Sequence, residues 1–133
     1  MELGKHIADS LITLGADVIF GVGSETGNGS LLKAKERGKW CIGVDVDQYY
    51  SFPEVSDVLL SSAMKGLDNA IYELVKSFVD DTFIGGIYNG KLANNGVGIA
   101  PYHNYESLIP DSIKIEIDSI QAGIINGSIS TGW

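Results

Sequence analysis

An α/β fold with a mostly parallel sheet is what this chain of 133 residues predicts. Three short apolar runs, Asp17–Phe20, Trp40–Val44 and Val58–Ser62, read as strands of the kind buried inside parallel sheets. Segments of helical periodicity separate them. Strand and helix alternating at this spacing make βαβ units with right-handed crossovers. A count of Gly 17 is high for a helical bundle and points to tight turns or close backbone approaches.

Leu3, Ile7, Leu11 and Leu14 recur at helical spacing, so a helix opens the chain and stops at Gly15. A domain that begins with a helix and no leading strand reads as part of something longer. After the first strand, Gly21-Val22-Gly23-Ser24-Glu25-Thr26-Gly27-Asn28-Gly29 reads as a loop. A helix then runs from Ser30 to Arg37, with late basic residues that suit the macrodipole and Gly38 at the stop position. The second strand ends at Asp45-Val46-Asp47. Pro53 interrupts the way to the third strand, and Leu67, Ile71, Leu74, Val75 and Phe78 mark one stripe of an amphipathic helix from Lys65 to Val79. Phe83–Tyr88 alternates briefly. Asn95-Gly96 is a tight-turn signal, and Val97–Ala100 returns as a strand. Pro110-Asp111 opens a last helix through Ile125, closed by Asn126-Gly127. With no repeat, linker or low-complexity tract, residues 1–133 are assigned to a single α/β domain.

Composition narrows the function. Lys+Arg 9 against Asp+Glu 17 gives a net charge of -8, the wrong sign for nucleic-acid binding. No run approaches the ~20 apolar residues of a membrane-spanning helix, and the first residues do not form a signal peptide. A lone cysteine, Cys41, excludes an intrachain disulfide and a cysteine-based zinc cluster. Enzyme signatures are missing: Ser24 lies in no G-x-S-x-G elbow, Cys41 is mid-strand, and His6 and His103 have no obvious partners. No catalytic residue, metal ligand or cofactor is therefore assigned.

Three places invite a ligand. The glycine loop matches neither G-x-G-x-x-G nor the P-loop. A backbone nest at a helix start holds anions or neutral polar groups, whereas the plain alternative is a tight turn capped by Thr26 or Asn28. Glu25 would set like charge beside a phosphate. Asp45 and Asp47 stand at the end of a parallel strand, the edge that faces the ligand crevice in open α/β sheets, where carboxylates accept hydrogen bonds from sugar hydroxyls. The alternative is a capping or turn aspartate. Lys65, read as a helix start, opposes the macrodipole unless a carboxylate or ligand faces it.

Several segments together resemble the basic membrane protein family, the nucleoside-binding lipoproteins that serve ABC transporters. They are Gly15–Phe20, Thr26-Gly27-Asn28-Gly29, Ile42–Gln48, Ser61-Ser62-Ala63-Met64-Lys65 with Asp68, Gly96–Ala100 and Ile109-Pro110-Asp111. The resemblance runs through nearly the whole chain in the family's order. It implies a type I periplasmic-binding-protein fold, two α/β lobes joined by crossovers and closing on a ligand. This chain corresponds to the C-terminal portion, a truncated three-layer αβα lobe with late crossover segments. By resemblance, Asp45 accepts bonds from the ribose, and Lys65 touches ribose or base. Gly23 and Ser24 border the nucleoside and Phe20 lines the site, with Asp47 beside Asp45.

The implied protein is the substrate-binding component of an ABC transporter: a non-enzyme, without cofactor, that takes a purine nucleoside and delivers it to a permease. Its full-length form would be extracytoplasmic and lipid-anchored. Cys41, inside a strand, cannot be the lipidated residue. Ser24-Glu25 departs from the glycine pair many members carry. A lobe without its first strand exposes an edge and apolar surface, which implies self-association. Two other readings stand beside this one: a sensor or regulatory protein on the same fold, and a small α/β enzyme using Asp45, Asp47 and Lys65.

Overall fold

The computed structural model describes residues 1–132. Five helices and four strands alternate: α1 (Glu2–Thr13), β1 (Val18–Phe20), α2 (Ser24–Glu36), β2 (Trp40–Asp45), α3 (Gln48–Ser51), β3 (Leu59–Lys65), α4 (Leu67–Val79), β4 (Val97–Ile99) and α5 (Asp111–Asn126). The sheet order is β1-β2-β3-β4, with β1–β2 and β2–β3 parallel. Gly66 N donates to Gly96 O, and four residues back along β3 Ala100 N donates to Ser62 O, so β4 runs antiparallel to β3. The expected α/β class with a mostly parallel sheet is therefore what the chain forms.

The chain makes two compact units, Met1–Met64 with Ile99–Leu108, and Lys65–Gly98 with the stretch from Ile109 onward. In the first unit Ala8, Ile12, Ile19, Leu31, Ala34, Cys41, Val55 and Leu59 form the core. Burial pushes the Cys41 thiol up to about 12, helped by the negative charge of Asp57, so the thiol is an inert apolar filler. Lys35 Nζ bonds Asp57 Oδ1 at 2.8 Å and holds that carboxyl below the ordinary carboxylate range.

Two elements show what local spacing along the chain did not. The α1 face that packs inward is Gly4, Ala8 and Ile12, whereas the Leu3, Ile7, Leu11 and Leu14 stripe is exposed, at 64%, 45%, 46% and 86%. The reason lies in α2. A Cβ on Gly4 would overlap the Thr26 carbonyl oxygen, and one on Gly29 would overlap the Met1 carbonyl oxygen. Backbones that close select small side chains over large ones, and that choice decides which stripe of α1 is inside. It also explains the second difference. Residues 24–29 belong to α2, which starts at Ser24 and not at Ser30. The low helix propensity of Gly27 and Gly29 is offset by packing that larger residues would forbid. Thr26 and Asn28 consequently lie within the helix and cap nothing.

In the second unit, α4 keeps its predicted stripe but none of its residues is buried. Leu67, Ile71, Leu74 and Phe78 are 51% exposed or more. Leu67, Ile71 and Leu74, with Phe83, Ile84 and Ile87, border an open apolar cleft of about 790 Å³. The alternating segment Phe83–Tyr88 forms no strand. Asn69 Nδ2 donates to Asn94 O at 2.8 Å, tying α4 to the turn before β4.

Candidate functional site

Because β1 and β2 are parallel, their last residues, Phe20 and Asp45, emerge at the same edge of the sheet. Phe20 is 55% exposed, while Ile19 beside it points into the core. Gly21 N donates to Ile42 O at 3.0 Å and carries the β1–β2 pairing one step past the strand. The chain then turns through Gly23, whose φ of 111° lies in the region that glycine alone visits freely. It enters α2 at Ser24, itself held at φ 51°. The first turn of α2 therefore presents its amide groups at this edge, with Glu25 giving the acidic residue that a helix N-terminus favours.

Asp45 has φ 72°. Left-handed backbone costs an L-residue on the order of 1–3 kcal/mol and persists only where surrounding contacts fix it. Ser24 and Asp45 share one sheet edge and both are held this way. The exposed Asp45 carboxylate stands where ligands approach open α/β sheets.

Asp47 lies one step further on. Its Oδ1 accepts from Tyr49 N at 3.1 Å, capping α3. Its Oδ2 pairs with His103 Nε2 at 2.8 Å. The His103 ring stacks on Tyr49 with centroids 4.0 Å apart, and Tyr49 Oη donates to Asn104 Oδ1 at 3.1 Å. Asp47 thus fastens the segment after β4 onto α3. His103, for which the sequence offers no obvious partner, is a partner in that clasp. The 56 positions between it and Asp47 leave no local signal of the pairing.

Phe20, Gly23, Ser24, Asp45 and Asp47 all belong to the first unit, on the edge where β1 and β2 end. Lys65 belongs to the second unit. It is the last residue of β3 and not the first of α4, whose N-cap is Gly66. The strand runs past Ser62 because its pairing with β2 continues through Ala63 and Met64, opposite Val44 and Asp45. The helix-dipole objection to a lysine there falls away with that correction. Among the described residues there is no group of three or more His, Cys, Asp or Glu side chains that could hold a metal ion, and no helix is long and apolar enough to cross a membrane.

Parallel strands whose carboxyl ends share one edge make this an open α/β sheet of the kind that takes ligands at that edge. A crystal structure of an ABC transporter system solute-binding protein from Aeropyrum pernix K1 superposes with TM-score 0.77 at 23% identity, over 96% of this chain and 43% of that one. A second neighbour, a transcriptional activator of the comK gene from Bacillus halodurans, gives TM-score 0.80 at 17% identity, over 95% and 42%. At those identities the likeness is one of fold. In sequence, basic membrane protein A of Borreliella afzelii is 31% identical over 134 residues, 97% of this chain and 39% of that protein. The chain belongs to the ABC transporter substrate-binding protein PnrA-like family, whose profile matches residues 1–130. It spans about two fifths of the length of that curated relative.

Proposed function

We propose that this chain supplies one wall of the ligand cleft in a substrate-binding protein of an ABC transporter, and that the ligand is a nucleoside, most simply a purine nucleoside. The observation that carries the reading is Asp45, an exposed carboxylate held at positive φ on the carboxyl edge of a parallel sheet. A carboxylate fixed in that way accepts two hydrogen bonds from a vicinal diol, the signature of ribose. Gly23 and Ser24, at the start of α2, offer amide groups beside it, and Phe20 offers an apolar ring edge to a base. The family resemblance assigns a further, cationic ligand contact to Lys65, the last residue of β3. Asp47 orders the turn through its two bonds and adds acceptor character next to Asp45.

In this reading the protein is a carrier and no enzyme. It works outside the cytoplasm as a lipid-anchored receptor, and it hands its ligand to a permease. Residues 1–133 act as the C-terminal lobe with its late crossover segments. The test is a titration of isotope-labelled protein with millimolar inosine or guanosine, read by amide and side-chain NMR shifts. Shifts are expected at Phe20, Gly23, Ser24, Asp45 and Lys65, and Asp45→Asn should abolish them without unfolding the chain. Shifts elsewhere, or shifts indifferent to that substitution, would remove the assignment.

The fold shared with a transcriptional activator keeps a second reading in view: a sensor that relays nucleoside occupancy to a signalling partner. It predicts the same ligand contacts and differs in what the closed form docks against.

The exposed stripes of α1 and α4 add a physical consequence. Apolar faces this large associate in water, so the isolated chain is expected to form dimers or larger species as concentration rises. Sedimentation velocity across a hundredfold concentration range checks this. A strictly monomeric profile throughout would count against it.

A further inference from the structure

Gln48 is 7% exposed, and every hydrogen-bonding group it directs into the fold is engaged. Its backbone N–H donates to Ser62 Oγ at 3.1 Å, its Oε1 accepts from Val44 N at 3.0 Å, and its Nε2 donates to Asn28 Oδ1 at 3.0 Å. Three elements therefore meet on one residue: the end of β2, the first half of α2, and β3. Gly43 leaves the room for it, since a Cβ there would overlap Gln48 Oε1 and crowd Ser62 Oγ. The Val44 amide that Gln48 takes up is the one directly before Asp45. Asn28 lies four residues, about one helical turn, after Ser24.

We infer that Gln48 and Asn28 are the positioning pair of the ligand site. Their amide–amide bond sets the distance between the Asp45 turn and the start of α2, and the Gln48–Val44 bond keeps Asp45 in its left-handed conformation. The pair touches no ligand in this arrangement; it acts through Asp45 and Ser24. The binding part of the inference rests on the nucleoside reading above, whereas the conformational part does not. A residue that only filled the core would stabilise all of β2 equally. A positioning residue controls the end of β2 in particular, because that is where the backbone departs from extended geometry.

The experiment is amide hydrogen exchange on the chain and three variants, Gln48→Leu, Asn28→Ala and Gln48→Glu. Cys41, whose amide bonds Val58 O at 2.9 Å in the same strand, serves as internal reference. In Gln48→Leu the Val44 and Val46 amides should exchange about tenfold faster relative to Cys41, the effect of one lost buried hydrogen bond on local opening. Gln48→Glu keeps an acceptor for Val44 and lets Asn28 turn its amide to donate, so Val44 protection should return toward that of the parent chain. Asn28→Ala should leave Val44 protected while perturbing the shifts of Gly23 and Ser24. Should Gln48→Leu fail to fold, the other two variants carry the comparison. Val44 exchange that rises only in step with Cys41, or Gln48→Glu behaving like Gln48→Leu, would overturn the inference. Inosine at millimolar concentration then reads the binding arm: its shift at Asp45 should fade in Gln48→Leu and persist in Gln48→Glu. If the parent chain itself ignores inosine, the nucleoside reading fails, and the exchange comparison still decides whether Gln48 controls the turn.

Discussion

Gly4→Val unfolds the first unit or comes close to it. Even the first carbon of the new side chain would coincide with the Thr26 carbonyl oxygen and crowd the Ser30 amide nitrogen, both in the backbone of α2. A clash with flexible side-chain tips can be relieved by a rotamer change; one with helical backbone forces the helices apart. Overpacking of cores costs about 1–3 kcal/mol, and more where backbone must move. Separation of α1 from α2 also uncovers Ala8, Ile12 and Leu31, which are 7% exposed or less. Against a total stability of about 5–15 kcal/mol, the expected result is a melting temperature lower by on the order of 10 °C, or no cooperative transition at all. Circular dichroism on heating checks it. Leu3→Ser is the matched control: Leu3 is 64% exposed, and a substitution there should stay within about 0.5 kcal/mol of the parent. If the leucine variant melts as early as the glycine one, the buried face of α1 is misidentified.

That pair of variants also marks where sequence reasoning reaches its limit. Apolar periodicity located α1 and α4, continuous apolar runs the three parallel strands, and boundary residues α5, because each signal is a property of neighbours along the chain. Periodicity did not show which face of α1 is buried, because the leucine stripe outweighs Gly4 and Ala8 in any scale of hydrophobicity. The decisive fact, an α2 backbone lying against Gly4, belongs to another segment. Gly27 and Gly29 misled in the same way. They read as a loop by propensity, yet they serve as the complementary surface of that approach. A small-residue pattern at positions 4 and 8, read together with glycines at 27 and 29, is the signal that points to close-packed helices.

The candidate site was legible to a different degree. Asp45 and the Gly23–Ser24 turn could be placed at the carboxyl edge of the sheet because topology fixes that edge, and topology followed from strand order. Their left-handed backbone at Ser24 and Asp45 was not foreseeable, since neither residue type demands it. The pairings of Gln48, Asn28 and His103 were not legible, because the partners lie 4 to 56 positions apart and carry no common motif. Lys65 was assigned to a helix start by its place before an amphipathic stripe. Strand pairing through Ala63 and Met64 overrides that local reading.

Weak nucleoside binding by this chain alone is the second large effect expected. A cleft that closes between two lobes surrounds its ligand, and sites of that kind bury most of the ligand surface. The wall described here offers Asp45, Ser24, Gly23 and Phe20 on one side, and leaves the opposite face of a bound nucleoside in water. Each exposed hydrogen bond then competes with solvent and contributes about 1 kcal/mol or less, while the cost of immobilising the ligand is undiminished. The affinity of residues 1–133 for guanosine or inosine should therefore lie in the millimolar range or weaker. A protein with these same residues and the full length of the relatives, of which this chain spans 39% in one case, should bind at least about a hundredfold tighter, since two further good contacts suffice for that gain. Isothermal calorimetry on both forms makes the comparison. A submicromolar constant for this chain by itself would mean that one wall is a complete site, and the two-lobe closure would then have no part in holding the ligand.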